Sequence, residues 1–471
     1  MEQSNLLEHI RRRLFANSAL MLACRITTLA VSLVTVPIVV GKLGIEGYGI
    51  WESILAVAML SMLFQKAIRG TLLWRISTAY GHQDHAGTHR LVRLGVLCSL
   101  CMFFLITPLI VATRYPILEL LQVPRGYIPV VSWILPWIVG LMVLGSVNET
   151  LGAVLSGYQL AGLNSLVQSG MMLIYNIVII AGLMSGWGLW SLPIGFSCGY
   201  LCSGIAYYLL ACASCGRISL WPALPRIAEL RLMGPYAGML LVGQVSGSLR
   251  DQADRIIIAA LASPTWVGYY GIAIRLASLV MLVSEMFYGP FLAAVGALRA
   301  AGDWAGVRRL YSNVITLLAL LGGLLAVGLG SVWDRIVVVW IGHPYPEAGL
   351  IFFVLLFGYT AAVLLTGAGT SLCLGAGRAE LDTGYTVSGL VINAILKVIL
   401  ITLFGALGSV VASSVSWFLS SLLLVFLMHR HLDLPWEATR RAFAALGVSI
   451  VVVGLYRVVL LGFSLPEQRG L

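Results

Sequence analysis

The sequence predicts an all-α polytopic membrane protein: two six-helix repeats, an N-lobe and a C-lobe, around a central cavity, plus an extra C-terminal helix. Composition, thirteen apolar stretches and an internal repetition predict it. Of 471 residues, 59% are hydrophobic and 10% charged, against about 25% charged in soluble domains. Mean hydropathy is +0.96. Only helices and closed barrels satisfy their backbone groups in lipid. A barrel needs alternating segments of about 10 residues, and these runs are longer and continuously apolar.

The apolar runs are 17–41, 48–66, 91–113, 128–155, 164–184, 188–211, 233–261, 268–292, 311–333, 348–374, 384–404, 408–428 and 442–463. Most reach the roughly 20 residues that cross a hydrocarbon core. The second is expected to continue as an interfacial helix through Arg75, with Leu72, Leu73 and Trp74 in the headgroup zone. With the N-terminus inside, cytoplasmic segments hold 18 of the 29 Lys and Arg, among them Arg69, and outer loops hold five. That is the positive-inside bias, so much of the net charge of +10 records topology rather than an anionic partner, and no nucleic acid is expected to bind. Arg11–Arg13 before an apolar run resemble a secretory signal, but the run is long, contains Arg25 and lacks a small-residue cleavage site. It reads as a retained anchor. Cys98/Cys101 and Cys212/Cys215 have ligand-like spacing, yet they lie in or beside apolar spans with no histidine nearby. Neither a metal site nor a disulfide is expected.

Three motifs recur in order. Asp84-His-Ala-Gly-Thr-His-Arg-Leu91 returns as Asp303-Trp-Ala-Gly-Val-Arg-Arg-Leu310, an offset of 219. Gly47-Tyr48-Gly49-Ile50 is echoed by Gly268-Tyr269-Tyr270-Gly271-Ile272, and Gly157, Ala161 and Leu163 by Gly375, Ala379 and Leu381. The aspartates are expected to be structural, each opening a turn before a helix. The organisation that follows is a cytoplasmic N-terminus 1–16, an N-lobe 17–213, a linker 214–232, a C-lobe 233–428, and a cytoplasmic loop with a thirteenth helix over 429–471. Six helices per copy is even, so the repeats are parallel, and transporters place substrate at such an interface.

Arg25 in the first span, Pro37, then Leu43-Gly-Ile-Glu-Gly-Tyr-Gly-Ile-Trp51 resemble the polysaccharide flippases of the MATE-like multidrug/oligosaccharidyl-lipid/polysaccharide exporter superfamily. So do Asp254-Arg255, Val267-Gly-Tyr-Tyr-Gly271 and Ala273-Ile-Arg-Leu276. The resemblance implies the Wzx-type branch, which moves undecaprenyl-pyrophosphate-linked oligosaccharides across the bacterial inner membrane for surface polysaccharides such as O-antigen and exopolysaccharide. It also implies membrane lipids and a polysaccharide polymerase as partners. The thirteenth span departs from the family's usual twelve or fourteen.

The residues themselves are compatible with that class. Ionisable groups at membrane depth face a partner or a water-filled cavity, and a pyrophosphate needs cations, of which the arginine fork is the best fitted. Arg25 lies about 12 Å into its span from Asn17 at the helical rise. Arg250, Arg255, Arg275 and Lys397 are the other cavity candidates. Arg250/Asp254 and Asp251/Arg255 are i,i+4 pairs, so that helix can also neutralise its own charges. Glu52, Glu149, Asp251, Asp254 and Glu285 are candidates for ion coupling or charge pairing. For Glu52 and Glu149 the plainer reading is a structural acid or a partner for Arg25, and Glu285 and Lys397 can pair across helices.

Two other classes stay open. One is an organic-cation exporter or a peptidoglycan-precursor flippase on the same scaffold, although the many deep cations favour an anionic head group over a cationic drug. The other is a membrane glycan polymerase or ligase, disfavoured by short outer loops and the lack of a nucleophile–base pair. No cofactor is expected. With no phosphate-binding G-x-x-x-x-G-K-[ST] loop, transport is expected to draw on a proton or sodium gradient, the membrane potential or product removal.

Overall fold

The computed structural model describes residues 2–81, 83–222, 238, 248–249 and 252–464. The described residues are helical with no strand. In order they form α1 (Glu2–Ser61), α2 (Leu63–Gly81), α3 (His85–Leu120), α4 (Ile128–Leu144), α5 (Ser146–Gly157), α6 (Ala161–Met184) and α7 (Ser191–Cys215). After α8 (residues 252–261) come α9 (Pro264–Ala277), α10 (Met281–Ala300), α11 (Trp304–Ile341), α12 (Pro346–Thr366), α13 (Gly369–Gly375), α14 (Ala379–Phe404), α15 (Ala406–Leu432) and α16 (Trp436–Ser464). Eleven helices among the described residues are long and apolar enough to cross a membrane. Every predicted span overlaps one of them, 17–41 and 48–66 sharing one, except 233–261, most of which lies outside the described residues.

Several boundaries differ from expectation. Spans 17–41 and 48–66 are not separated by a loop but run through α1, interrupted at Gly44 (φ 72°, ψ 172°). One residue in the left-handed region redirects the helix, and glycine alone adopts it without strain. Beyond residue 66 the chain stays helical, as expected, and passes Arg75. α2 continues to Gly81 and packs on α3 and α5, burying Leu72 and Ile76 against Val92, Val96, Leu151, Val154 and Leu155. Spans 128–155 and 348–374 each break in two, at Gly145 and at Gly367–Ala368. Over 442–463 the chain is helical within α16, whose portion Trp436–Arg457 is long and apolar enough to cross.

The repeated motifs fold alike. Asp84 Oδ1 accepts from the Gly87 amide at 2.8 Å to cap α3, and Asp303 Oδ1 accepts from Gly306 at 2.7 Å to cap α11. The caps have nearly the same backbone angles, φ −86°, ψ 84° and φ −85°, ψ 75°. α5 ends at Gly157 and α6 starts at Ala161; α13 ends at Gly375 and α14 starts at Ala379. Between them Gln159 and Gly377 both take positive φ. The aspartates are therefore helix caps, each worth about 1 kcal/mol.

The described residues form two compact units, Met1–Gly268 and Tyr269–Leu471. In the first, α1 packs on α6, where Thr35 Oγ1 donates to Asn176 Oδ1 at 2.7 Å. Asn148 Nδ2 in α5 donates to Tyr200 O (2.9 Å) and Ser203 Oγ (3.0 Å) in α7. Gly49 sits so close to the carbonyl of Pro264 that no Cβ fits there.

In the second unit, α14 and α15 are joined by Asn393, which donates to Ser413 and Ser416 at 3.1 Å each. Small residues let helices approach closely in lipid, and such bonds add about 0.6–2 kcal/mol. α16 lies along α11, where Gly330 meets Val453 and Gly323 meets Ser449.

Candidate functional site

In the first unit, Glu52 and Glu149 each pair with an arginine distant in sequence or on another helix. Glu52 projects from α1 eight residues past Gly44 and is buried. Its Oε2 lies 3.2 Å from Arg255 Nε of α8, with side-chain exposures of 3% and 16%. Arg255 also donates from Nη1 to Gln252 at 2.8 Å. Two charges withdrawn from water at this depth hold together only as a pair, because either alone carries a large desolvation cost. Asp254, one residue away, is buried as well. Arg250 and Asp251 lie outside the described residues. Glu52, read as a structural acid, a proton carrier or a partner for Arg25, has Arg255 as its ion-pair partner.

The second pair is Arg69 Nη1 with Glu149 Oε2 at 2.9 Å, joining α2 to α5, each side chain about 30% exposed. A small cavity of about 10 Å³ adjoins it, lined also by Gln65, Ser99, Ser146 and Thr150. Sequence reasoning placed Glu149 but counted Arg69 among the cytoplasmic cations and missed Gln65. The signal was present: Gln65 and Arg69 are four apart and share one face of a helix that continues past residue 66. Arg25 is exposed on α1, one turn before Thr28, whose hydroxyl lies 3.4 Å from Ser169 Oγ on α6.

In the second unit Arg275 is half-buried in the last turn of α9, and Glu285 is exposed on α10. Lys397 is buried on α14, one turn after Asn393. Arg457 of α16, which fell outside the repeat, pairs with Asp334 of α11 and lies over the Phe353 ring of α12, 4.4 Å from its centroid. That contact ties the thirteenth span into the unit. All eight cysteines are free thiols, and no cluster of three metal-ligating side chains occurs among the described residues.

This multi-pass helical chain, with two capped repeats and helices broken at matching places, has the fold of the MATE and lipid II flippase transporters. An inward-facing MATE multidrug transporter of the MOP superfamily superposes with a TM-score of 0.69 at 14% identity, covering 88% of this chain and 98% of that one. The lipid II flippase MurJ in an inward closed conformation also scores 0.69, at 13% identity, covering 96% and 99%. In sequence the chain is similar to the probable low-salt glycan biosynthesis flippase Agl15 of Haloferax volcanii, 24% identical over 240 residues. The match spans about half of each protein, 51% of this chain and 50% of that one. No family model matches the chain.

Proposed function

We propose that this chain flips undecaprenyl-pyrophosphate-linked oligosaccharides across the bacterial inner membrane by alternating access of two six-helix lobes, 17–213 and 233–428. The observation that carries the reading is Arg25, a cation about 12 Å into the first span at the helical rise and exposed on its helix. A permanent charge there suits a pyrophosphate or acidic sugar. The similarity to an archaeal glycan flippase supports a lipid-linked glycan over a drug. Arg275 and Lys397 are the cations proposed to serve the second lobe. The N-terminus is cytoplasmic, transport is coupled to a proton or sodium gradient, and a polysaccharide polymerase takes the product.

The test is restoration of surface glycan in a strain lacking its own oligosaccharide flippase, comparing the intact chain with Arg25→Ala and Arg25→Lys at matched expression. Restoration by the intact chain, loss with Arg25→Ala and partial rescue with Arg25→Lys are expected. Failure to move any of several lipid-linked glycans overturns the reading. Lipid II forms a separate arm, because the fold matches a lipid II flippase over 96% of this chain. Movement of lipid II alone would assign the chain to peptidoglycan precursors.

A further inference from the structure

The cavity beside Arg69 and Glu149 contains an unusual amide. Gln65 is 3% exposed, and neither its Oε1 nor its Nε2 has a hydrogen-bond partner. A buried amide left unmet is strongly disfavoured, and a water or ligand that completes it is a common reason for native structures to keep one. Ile68 and Met102 add apolar walls, and the three hydroxyls of the lining are already committed as donors. Ser99 Oγ donates to Gly95 O (2.9 Å), Ser146 Oγ to Val143 O (2.7 Å) and Thr150 Oγ1 to Ser146 O (3.1 Å). Each hydroxyl therefore turns lone pairs outward. Gln65 Nε2 and the Arg69 guanidinium supply donors, while Gln65 Oε1 and Glu149 supply acceptors.

This donor set selects its ligand. Arg69 and Glu149 cancel each other, so a phosphate would meet the carboxylate and a metal cation the guanidinium. What fits is neutral, donates and accepts at one atom, and fills the room of one water. A hydroxyl group has those properties.

We propose that this cavity is a sugar-hydroxyl subsite, taking one hydroxyl of the glycan between the Gln65 amide and the Arg69–Glu149 pair. The proposal rests on the lipid-linked oligosaccharide reading and adds to it a recognition point for sugar, separate from the cations that serve the pyrophosphate. The partial exposure of Arg69 and Glu149 provides the mouth through which the hydroxyl enters.

The experiment compares two probes on the full chain in nanodiscs by microscale thermophoresis. One is undecaprenyl pyrophosphate carrying a neutral trisaccharide, the other undecaprenyl pyrophosphate alone. The intact chain is expected to prefer the glycan-bearing probe by about tenfold, the effect of one or two good hydrogen bonds. Gln65→Leu is expected to cut that preference to about twofold or less and to leave binding of the bare lipid unchanged. Because the amide has no protein partner, Gln65→Leu should also hold or raise the melting temperature, which a structural glutamine would not do.

An undiminished preference in Gln65→Leu, or a lowered melting temperature, overturns the subsite: the cavity then holds water only, or the amide is structural. Equal binding of both probes to the intact chain also overturns the subsite and leaves the flippase reading standing. Binding of neither probe overturns both.

Discussion

Removing Glu52 should take a carboxylate away from a largely buried guanidinium. At a separation of 3.2 Å, two unit charges attract by about 5 kcal/mol at an effective dielectric of about 20. After Glu52→Ala, Arg255 retains its bond to Gln252 but loses the carboxylate at 3.2 Å, in a site where its side chain is only 16% exposed. Breaking a buried pair by removing one partner costs about 3–5 kcal/mol, whereas replacing both with apolar residues of similar size is often neutral. We therefore expect Glu52→Ala to lose about 3 kcal/mol or more and the double variant Glu52→Leu/Arg255→Met to recover most of it. The assay is a double-mutant cycle read by denaturant or thermal unfolding in one detergent, with surface-glycan restoration followed in parallel. Stability within about 1 kcal/mol for Glu52→Ala, or a coupling energy below about 0.5 kcal/mol, would refute the reasoning. If the double variant is stable but does not restore surface glycan, the pair's charges belong to transport rather than to folding.

Two further outcomes follow from the fold. Asp84→Ala and Asp303→Ala should each cost about 1 kcal/mol, and by similar amounts because the two caps share one geometry; unequal losses in unfolding midpoint would argue against a duplicated unit. Gly49→Ala should abolish monodisperse protein in size-exclusion chromatography, since a Cβ at that position meets the backbone of Pro264 rather than a movable side chain. An unchanged elution profile would place α1 further from Pro264 than described.

Much of the fold was legible because the hydrocarbon core demands long apolar runs, and those runs survive any detail of packing. The repeat was legible for a similar reason: an aspartate cap and a glycine at a helix end are local chemistry, visible in a few residues. What the sequence concealed depends on contacts between distant segments. Arg69 looks like one more cytoplasmic cation until α2 is known to continue to Gly81 and to bring its side chain to Glu149. Glu52 has no acidic or basic neighbour within a turn that hints at Arg255, two hundred residues away. Gly44 was read as part of a loop because apolar spacing does not reveal that a single left-handed residue suffices to join two spans. Gln65 carries no charge and no motif, and only its burial without a partner brings it to notice.

The seam between α11 and α16 bears on how the chain is made. Gly323 and Gly330 leave room on α11 that Ser449 and Val453 of α16 enter, and Asp334 meets Arg457 across the seam. About 120 residues of synthesis separate Gly330 from Val453, so at about 5–20 residues per second that face of α11 stays uncovered for roughly 6–24 s after α11 has emerged. During that interval lipid, a chaperone or a neighbouring helix can occupy it. A chain halted before α16 would keep that face of α11 uncovered permanently.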